Sequence, residues 1–296
     1  MSLFVRRRRK QDRWPFIRVV SFAAFVVALG LVGVIFGFLL KDSLPVWRSQ
    51  GLGFLFGRQW YVGQAYGALP MVYGTVVVTF IAVCLALPLA LGSAIIVSEV
   101  FPGRLRLAAK MIIELLAGIP GVVYGLLGIA ILTTMVRETF GLIDGNCIFT
   151  AGLLLGIMIL PTIMTLCEDA LHAVPNRYRS QAFALGLCPA QTIIYVVLPQ
   201  AARGIIGAIL LGVSRAMGET IAVMLVIGSI DRIPHPFYNL FVAGQTITSK
   251  LGREAQEALG MGYHWNVLIA LGFILFIMTM GITFIGEAIV TRPRET

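Results

Sequence analysis

The sequence predicts an all-α polytopic membrane protein with six transmembrane helices. Three observations carry this. Of 296 residues, 58% are hydrophobic and 12% charged, with a mean hydropathy of +0.90, which is more apolar surface than a soluble core can enclose. The apolar residues gather in runs of about 20 or more, the length a helix needs to cross hydrocarbon. None of the runs shows the alternating hydropathy of barrel strands.

The first crossing spans Val19 to Leu40 and follows the basic run Arg6 to Lys10, which reads as a topology anchor and a contact for anionic lipid. Its apolar run is too long for a signal-peptide core and no A-x-A-like site follows Leu40, so it is expected to be a retained anchor. The others are Tyr73 to Val97, Met111 to Val136, Ile148 to Cys167, Gly204 to Ile230 and Trp265 to Val290. With six crossings both termini share one side, and that side carries fifteen of the 23 lysines and arginines against seven opposite. The positive-inside rule therefore predicts cytoplasmic termini, residues 1–18 and 291–296. The net charge of +9 is explained by this distribution, not by nucleic-acid binding.

The connections differ in character. Residues 41–72 and 231–264 are long, external by this topology, and contain aromatics and the Pro234 to Pro236 turn signal, as a docking face or a solvated connection would. The cytoplasmic stretch 168–203 has helical patterning. Asn176 begins one short helix, Gly186 stops it, and Pro189 suits the first turn of a second, giving a helix-turn-helix that lies against the membrane. Residues 73–290 form the core domain, and residues 19–72 supply the first helix and its external loop. Cys84, Cys147, Cys167 and Cys188 lack metal-like spacing and are expected to be packing residues. His172, His235 and His264 are scattered and expected to be solvated.

Chemistry concentrates in two crossings. Arg215 and Glu219 are four apart, so a continuous helix places both on one face. A charge in hydrocarbon costs a few kcal/mol, so such residues face a partner or a wet cavity. Two readings fit: a mutual salt bridge that ties the bundle, or an oxyanion site in which arginine offers five fixed donors and Glu219 holds and partly neutralises it. In the third crossing, Pro120 removes a backbone donor beside Gly118 and Gly121. Gly118 to Gly121 is expected to break the helix and present free amides to an anion, while Gly125 and Gly128 extend a small-residue packing stripe. Thr75 opens the second crossing, either as a hydroxyl on the same path or as a helix-initiating residue. Glu114 and Glu287 sit near helix ends and are given no role. No G-x-x-x-x-G-K-[ST] loop is present, so any ATP must be bound by another chain.

Ser180-Gln181-Ala182, then Gly186, Val196, Leu198 and Pro199, resembles the permease signature of ATP-binding-cassette importers, E-A-A-x3-G-x9-I-x-L-P. It departs at Ser180, Gln181 and Val196. YGT at Tyr73 to Thr75, ELLAGIPGVVYG at Glu114 to Gly125 and RAMGET at Arg215 to Thr220 are similar to the C-type permease of the phosphate-specific importer, over a stretch from about Lys41 to the last crossing. The resemblance implies a type I importer permease of MetI-like fold in a prokaryotic inner membrane. It implies that Arg215 and Glu219 serve phosphate passage, with Thr220, Gly118, Gly121, Tyr124 and Thr75 along the path. Family members commonly have serine at the position of Gly121. The stretch with Ser180, Gln181, Ala182, Gly186, Leu198 and Pro199 is implied to couple to the ATPase. The implied partners are an A-type permease, two copies of a cytoplasmic ATPase that uses ATP and Mg, an extracytoplasmic phosphate-binding protein and a sensor-kinase complex. No cofactor is expected in this chain. The competing expectations are a permease for molybdate or sulfate, a non-transporting scaffold that relays occupancy, and an intramembrane enzyme, which the lack of any nucleophile or metal constellation disfavours.

Overall fold

A computed structural model describes the backbone of residues 15–291 and the side chains of residues 18–290. The Arg6 to Lys10 run, Arg13, Arg292 and Arg294 lie outside the described residues. In chain order the elements are α1 (Pro15–Gln50), α2 (Leu52–Phe56), a two-stranded antiparallel hairpin of β1 (Trp60–Tyr61) and β2 (Ala65–Tyr66), and α3 (Leu69–Ile95), which runs into a π-helical turn at Ile96–Val100. Next come α4 (Gly103–Ala117), α5 (Gly121–Leu127), a π turn at Gly128–Thr133 and α6 (Thr134–Phe140). Then follow α7 (Ile148–His172), α8 (Asn176–Ala184), α9 (Pro189–Thr192), a π turn at Ile193–Val197 and α10 (Leu198–Gly218). The described residues finish with α11 (Ile221–Val226), α12 (Ile247–Ala258) and α13 (Tyr263–Thr291).

Among the described residues, six helical stretches are long and apolar enough to cross a bilayer: Arg18–Gln50, Leu69–Val100, Gly121–Phe140, Ile148–His172, Pro189–Gly218 and Tyr263–Val290. The fourth is the centre of the bundle, with 67% of its most apolar window buried, whereas the first is peripheral, with none buried. Small residues bring the central helices close. A Cβ on Gly152 would stand 2.6 Å from Ile81, one on Gly212 2.5 Å from Ile163, and one on Gly204 2.5 Å from Ala170. In lipid, where apolar burial gives no advantage over the solvent, such backbone approach is what holds helices together. On the outside, Phe36 packs its ring against Phe273 and Phe276, fixing α1 to α13.

The fourth span also defines two ends. At its start the amides of Ile148 and Phe149 donate to the carbonyls of Val242 (3.2 Å) and Leu240 (2.9 Å), on the segment that leads into α12. At its finish it passes directly into α8.

Four sequence expectations change. The first helix continues past Lys41 to Gln50, so the first ten residues of the expected external loop are helical. The third crossing breaks at Gly118–Pro120 as expected, but its bounds differ from Met111 to Val136: α4 already begins at Gly103, inside the expected short loop, and the apolar span after the break is Gly121–Phe140. The fifth crossing begins at Pro189, not Gly204, and ends at Gly218, because Glu219 is extended (φ −71°, ψ 122°). Consequently the second helix of the expected helix-turn-helix does not lie apart but is the first turn of this span. Finally, His264 is buried, so it is not solvated as expected, while His172 is exposed and contacts Arg106 (2.8 Å).

Candidate functional site

The two broken helices meet. α4 ends at Ala117 and α5 restarts at Gly121; α10 ends at Gly218 and α11 restarts at Ile221. Pro120 cannot donate a hydrogen bond, and its carbonyl accepts from Val123 (3.0 Å) and Tyr124 (3.4 Å), which starts the new helix. The Tyr124 hydroxyl reaches back over the break to the Leu116 carbonyl (3.0 Å), so it braces the two segments together. Gly125 lets α11 lie against α5, since a Cβ there would stand 3.0 Å from Ala222 Cα and 2.7 Å from Leu225. Gly128 does the same against Leu154 and Val226, both at 2.9 Å, as a packing stripe requires.

Arg215 and Glu219 are separated by the helix end at Gly218 and do not form the ion pair that a continuous helix would have allowed. Arg215 donates from Nη1 to Thr162 Oγ1 (2.6 Å) and from Nη2 to the Ala117 carbonyl (3.2 Å), the last residue of α4. Thr162, not Glu219, therefore orients the guanidinium. Both acceptors are neutral, so the positive charge is not cancelled, and of the five N–H donors three remain unused. Thr162 lies 14 residues into α7, about 21 Å along an axis whose full length is about 37 Å. Arg215 thus sits near mid-depth with an exposed side chain. An arginine there cannot face lipid without a cost of about 2.5–3.5 kcal/mol on insertion scales, so this face borders a wet path or another protein surface.

Glu219 takes a different place. Its Oε1 accepts from the Ala222 amide (3.2 Å) and lies 2.7 Å from where a Cβ on Gly121 would be. The carboxylate therefore occupies the start of α5, where Gly121 and Val122 have no backbone acceptor for their amides. The expected row of free amides from Gly118 is shorter than anticipated: the Gly118 amide bonds Glu114 (3.1 Å) and that of Ile119 bonds Leu116 (3.3 Å). Gly121 makes the carboxylate's position possible.

Thr75 and Arg215 share no hydrogen-bond partner among the described residues. Thr75 is buried, donates to the Met71 carbonyl (2.8 Å) and accepts from the Ile247 amide (3.0 Å), holding the start of α12. The next residue, Thr248, donates to the Glu219 carbonyl (2.8 Å), so Thr75 supports the break from behind. Thr220 turns its methyl group towards Gly252, where a Cβ would stand 2.7 Å away.

At the α8 end, Ser180 and Gln181 are exposed and Ala182 is buried. The helix closes with the Gly186 amide on Phe183 (3.0 Å) and that of Leu187 on Ala182 (3.1 Å), a pattern that requires the left-handed Gly186 (φ +84°). Phe183 and Leu185 stand out from the surface. α9 then starts at Pro189, with the Cys188 amide bonded to Gln191 Oε1 (3.0 Å). Pro199 has no amide to give, and the preceding turn, Ile193–Val197, is π-helical.

Sequence reasoning missed how this element is anchored. Arg179 donates from Nε to Glu99 Oε2 (3.0 Å) and from Nη2 to Glu99 Oε1 (2.6 Å), and also to the carbonyls of Val174 (2.6 Å) and Leu171 (3.0 Å). Glu99 belongs to the π turn that ends the second span, so a bidentate pair joins α8 to that helix. Nearby, the buried Glu168 accepts from Arg106 Nε (2.5 Å) and Lys110 (3.1 Å), clamping α4 to α7. Burial works against the Lys110 charge, but hydrogen bonds to Asp169 and Glu168 and their charges outweigh it and hold its pKa above the ordinary lysine value. Charges 62 to 80 residues apart give no sequence signal of pairing.

Residues 86–294 match the family described as binding-protein-dependent transport system inner membrane component. The chain belongs to this family. The phosphate transport system permease protein PstC of Mesorhizobium japonicum is 34% identical over 290 residues, covering 91% of this chain and 88% of that protein. The PstC of Pasteurella multocida is 33% identical, covering 94% and 91%. Among solved structures, the inward-facing MetNI methionine ABC transporter matches with a TM-score of 0.58 at 19% identity, over 74% of this chain and 92% of that one. A bacterial alginate ABC transporter matches with a TM-score of 0.59 at 14% identity, over 95% and 99%. These two show the shared permease fold. The permease is a multi-pass inner-membrane protein and a transporter subunit.

Proposed function

We propose that this permease forms the path for inorganic phosphate in an ATP-driven importer, and that Arg215 is its anion-handling group. The observation that carries this is the uncancelled guanidinium near mid-depth, fixed by two neutral acceptors with three donors to spare. The relatives named as phosphate permeases support the same substrate.

In this reading an oxyanion meets the Arg215 fork at the junction of the two helix breaks. Glu219, seated at the α5 start, keeps that start from trapping the anion. Alternating access requires the two breaks to shift relative to each other, and Ala117 and Thr162 tie Arg215 to two different helices, α4 and α7, that such a shift would separate. α8 is the coupling element, its exposed Phe183 and Leu185 entering a cytoplasmic ATPase, and Arg179 transmits its movement to Glu99 at the end of the second span. A second permease of the A type covers the Arg215 face, two ATPase copies supply the energy, and an extracytoplasmic binding protein delivers phosphate. Both termini are then cytoplasmic, on the α8 side.

The test is ATP-dependent uptake of labelled phosphate by vesicles that contain the full complex, with molybdate and sulfate as competitors. Uptake that those anions leave intact supports the phosphate path. Uptake of either anion in preference, or no uptake, contradicts it.

A further inference from the structure

Away from Arg215, at the α12 end, lies a cavity of about 750 Å3 lined by Arg58, Tyr73, Arg232, His235, Phe237 and neighbouring apolar residues. No carboxylate lines it. A second hollow of about 430 Å3 shares Arg58 and Arg232, so the two arginines stand on a common rim; Asp231 also lines this second hollow. Both are exposed, and neither makes an ion pair or side-chain hydrogen bond among the described residues.

The chain is built to leave them so. Asp231 is the carboxylate next to Arg232, yet it turns inward and pairs with Lys250, a lysine only 2% exposed. Lys250 also pairs with Glu254 (2.5 Å) and lies 4.8 Å from the Trp60 ring. Along the two adjacent segments, Trp60 and Asp231 are drawn in by the buried lysine while Arg58 and Arg232 point out. The backbone holds this arrangement. Gly57 and Gly67 approach so closely that a Cβ on Gly67 would stand 2.3 Å from Gly57, and the Ile230 amide bonds the Gly244 carbonyl (3.1 Å). Because Lys250 holds Asp231 in an ion pair, both guanidinium groups are without a carboxylate partner among the described residues, over a cavity large enough for a hydrated anion.

We propose that Arg58 and Arg232 form a second site for phosphate-type oxyanions, a vestibule at the α12 end separate from Arg215. The shared chemistry is a tetrahedral phosphate held by two guanidinium forks, and its source is either free inorganic phosphate on its way to the path or the phosphate of a lipid headgroup. The first source rests on the phosphate reading above; the site's chemistry does not.

The experiment is arginine footprinting of the assembled complex with phenylglyoxal, read residue by residue by mass spectrometry, with exposed Arg137 as the reference. In detergent, inorganic phosphate at constant ionic strength is expected to protect Arg58 and Arg232 but not Arg137, reaching about tenfold at ten times the half-protecting concentration. In vesicles with anionic phospholipid and no added phosphate, protection of the same pair would assign the site to the headgroup. Equal modification of all three arginines in both arms would overturn the proposal. With the Arg58→Gln/Arg232→Gln variant, uptake at low ionic strength should be several-fold below wild type, and the gap should close as added salt lowers wild-type uptake. If wild type imports phosphate and footprinting shows no protection, the vestibule is wrong and the path reading stands. If the pair is protected and no phosphate is imported, the reverse holds.

Discussion

Separating Arg179 from Glu99 should uncouple α8 from the second span without unfolding the protein. The pair is bidentate, with side chains 16% and 9% exposed, so solvent screens it weakly. Charge-assisted hydrogen bonds contribute about 1.5–3 kcal/mol each, and two share one geometry here, which sets an expected coupling of about 2–4 kcal/mol. A double-mutant cycle of Arg179→Met, Glu99→Gln and both together isolates that term. Unfolding in mixed micelles gives the energy. Each single variant should cost more than the pair's net contribution, because it strands the remaining partner; the double variant should recover part of the loss. The same proteins in the full complex should retain ATP hydrolysis and lose phosphate uptake. A coupling below about 0.5 kcal/mol, the value of an exposed surface pair, or normal uptake by the single variants, would refute the role of this link.

Three further outcomes are expected. Lys250→Met leaves Asp231 and Glu254 together without their cation and should destabilise the protein by about 3–5 kcal/mol, seen as a lower melting temperature in detergent. Gly74→Ala forces a Cβ to 2.0 Å from the Gln245 carbonyl oxygen, a backbone atom that cannot swing aside, and should reduce the yield of folded, monodisperse protein. Tyr124→Phe removes the hydroxyl that ties α5 to Leu116 and should cost only about 1 kcal/mol, yet slow uptake several-fold by loosening the break.

The six crossings were legible because length and apolar content alone specify a membrane helix, and the break at Gly118–Pro120 was legible because proline and glycine state their backbone effects locally. The end of α8 was legible for the same reason, in Gly186. The break after Gly218 was not. RAMGETIAV has no proline, and nothing local shows that the carbonyl of Glu219 will be held by Thr248. That one misread element put Arg215 and Glu219 on a shared face, when tertiary contacts give Arg215 to Thr162 and Ala117 and send Glu219 to Gly121. Thr75 was singled out as a path hydroxyl or a helix-initiating residue, but it lies inside α3, which starts at Leu69, and its partner is 172 residues away, so its supporting role could not be read in sequence. The Lys250 cluster was hidden because an amphipathic helix with a lysine ordinarily turns it to solvent.

The most direct measurement compares ATP-dependent uptake of labelled phosphate by the full complex containing wild-type permease with that of Arg215→Lys, at matched assembly. Lysine keeps the charge but cannot hold Thr162 and Ala117 and still present a planar fork. Uptake lost in the variant, with ATP hydrolysis retained, is the expected result. Uptake equal to wild type would contradict the role assigned to Arg215.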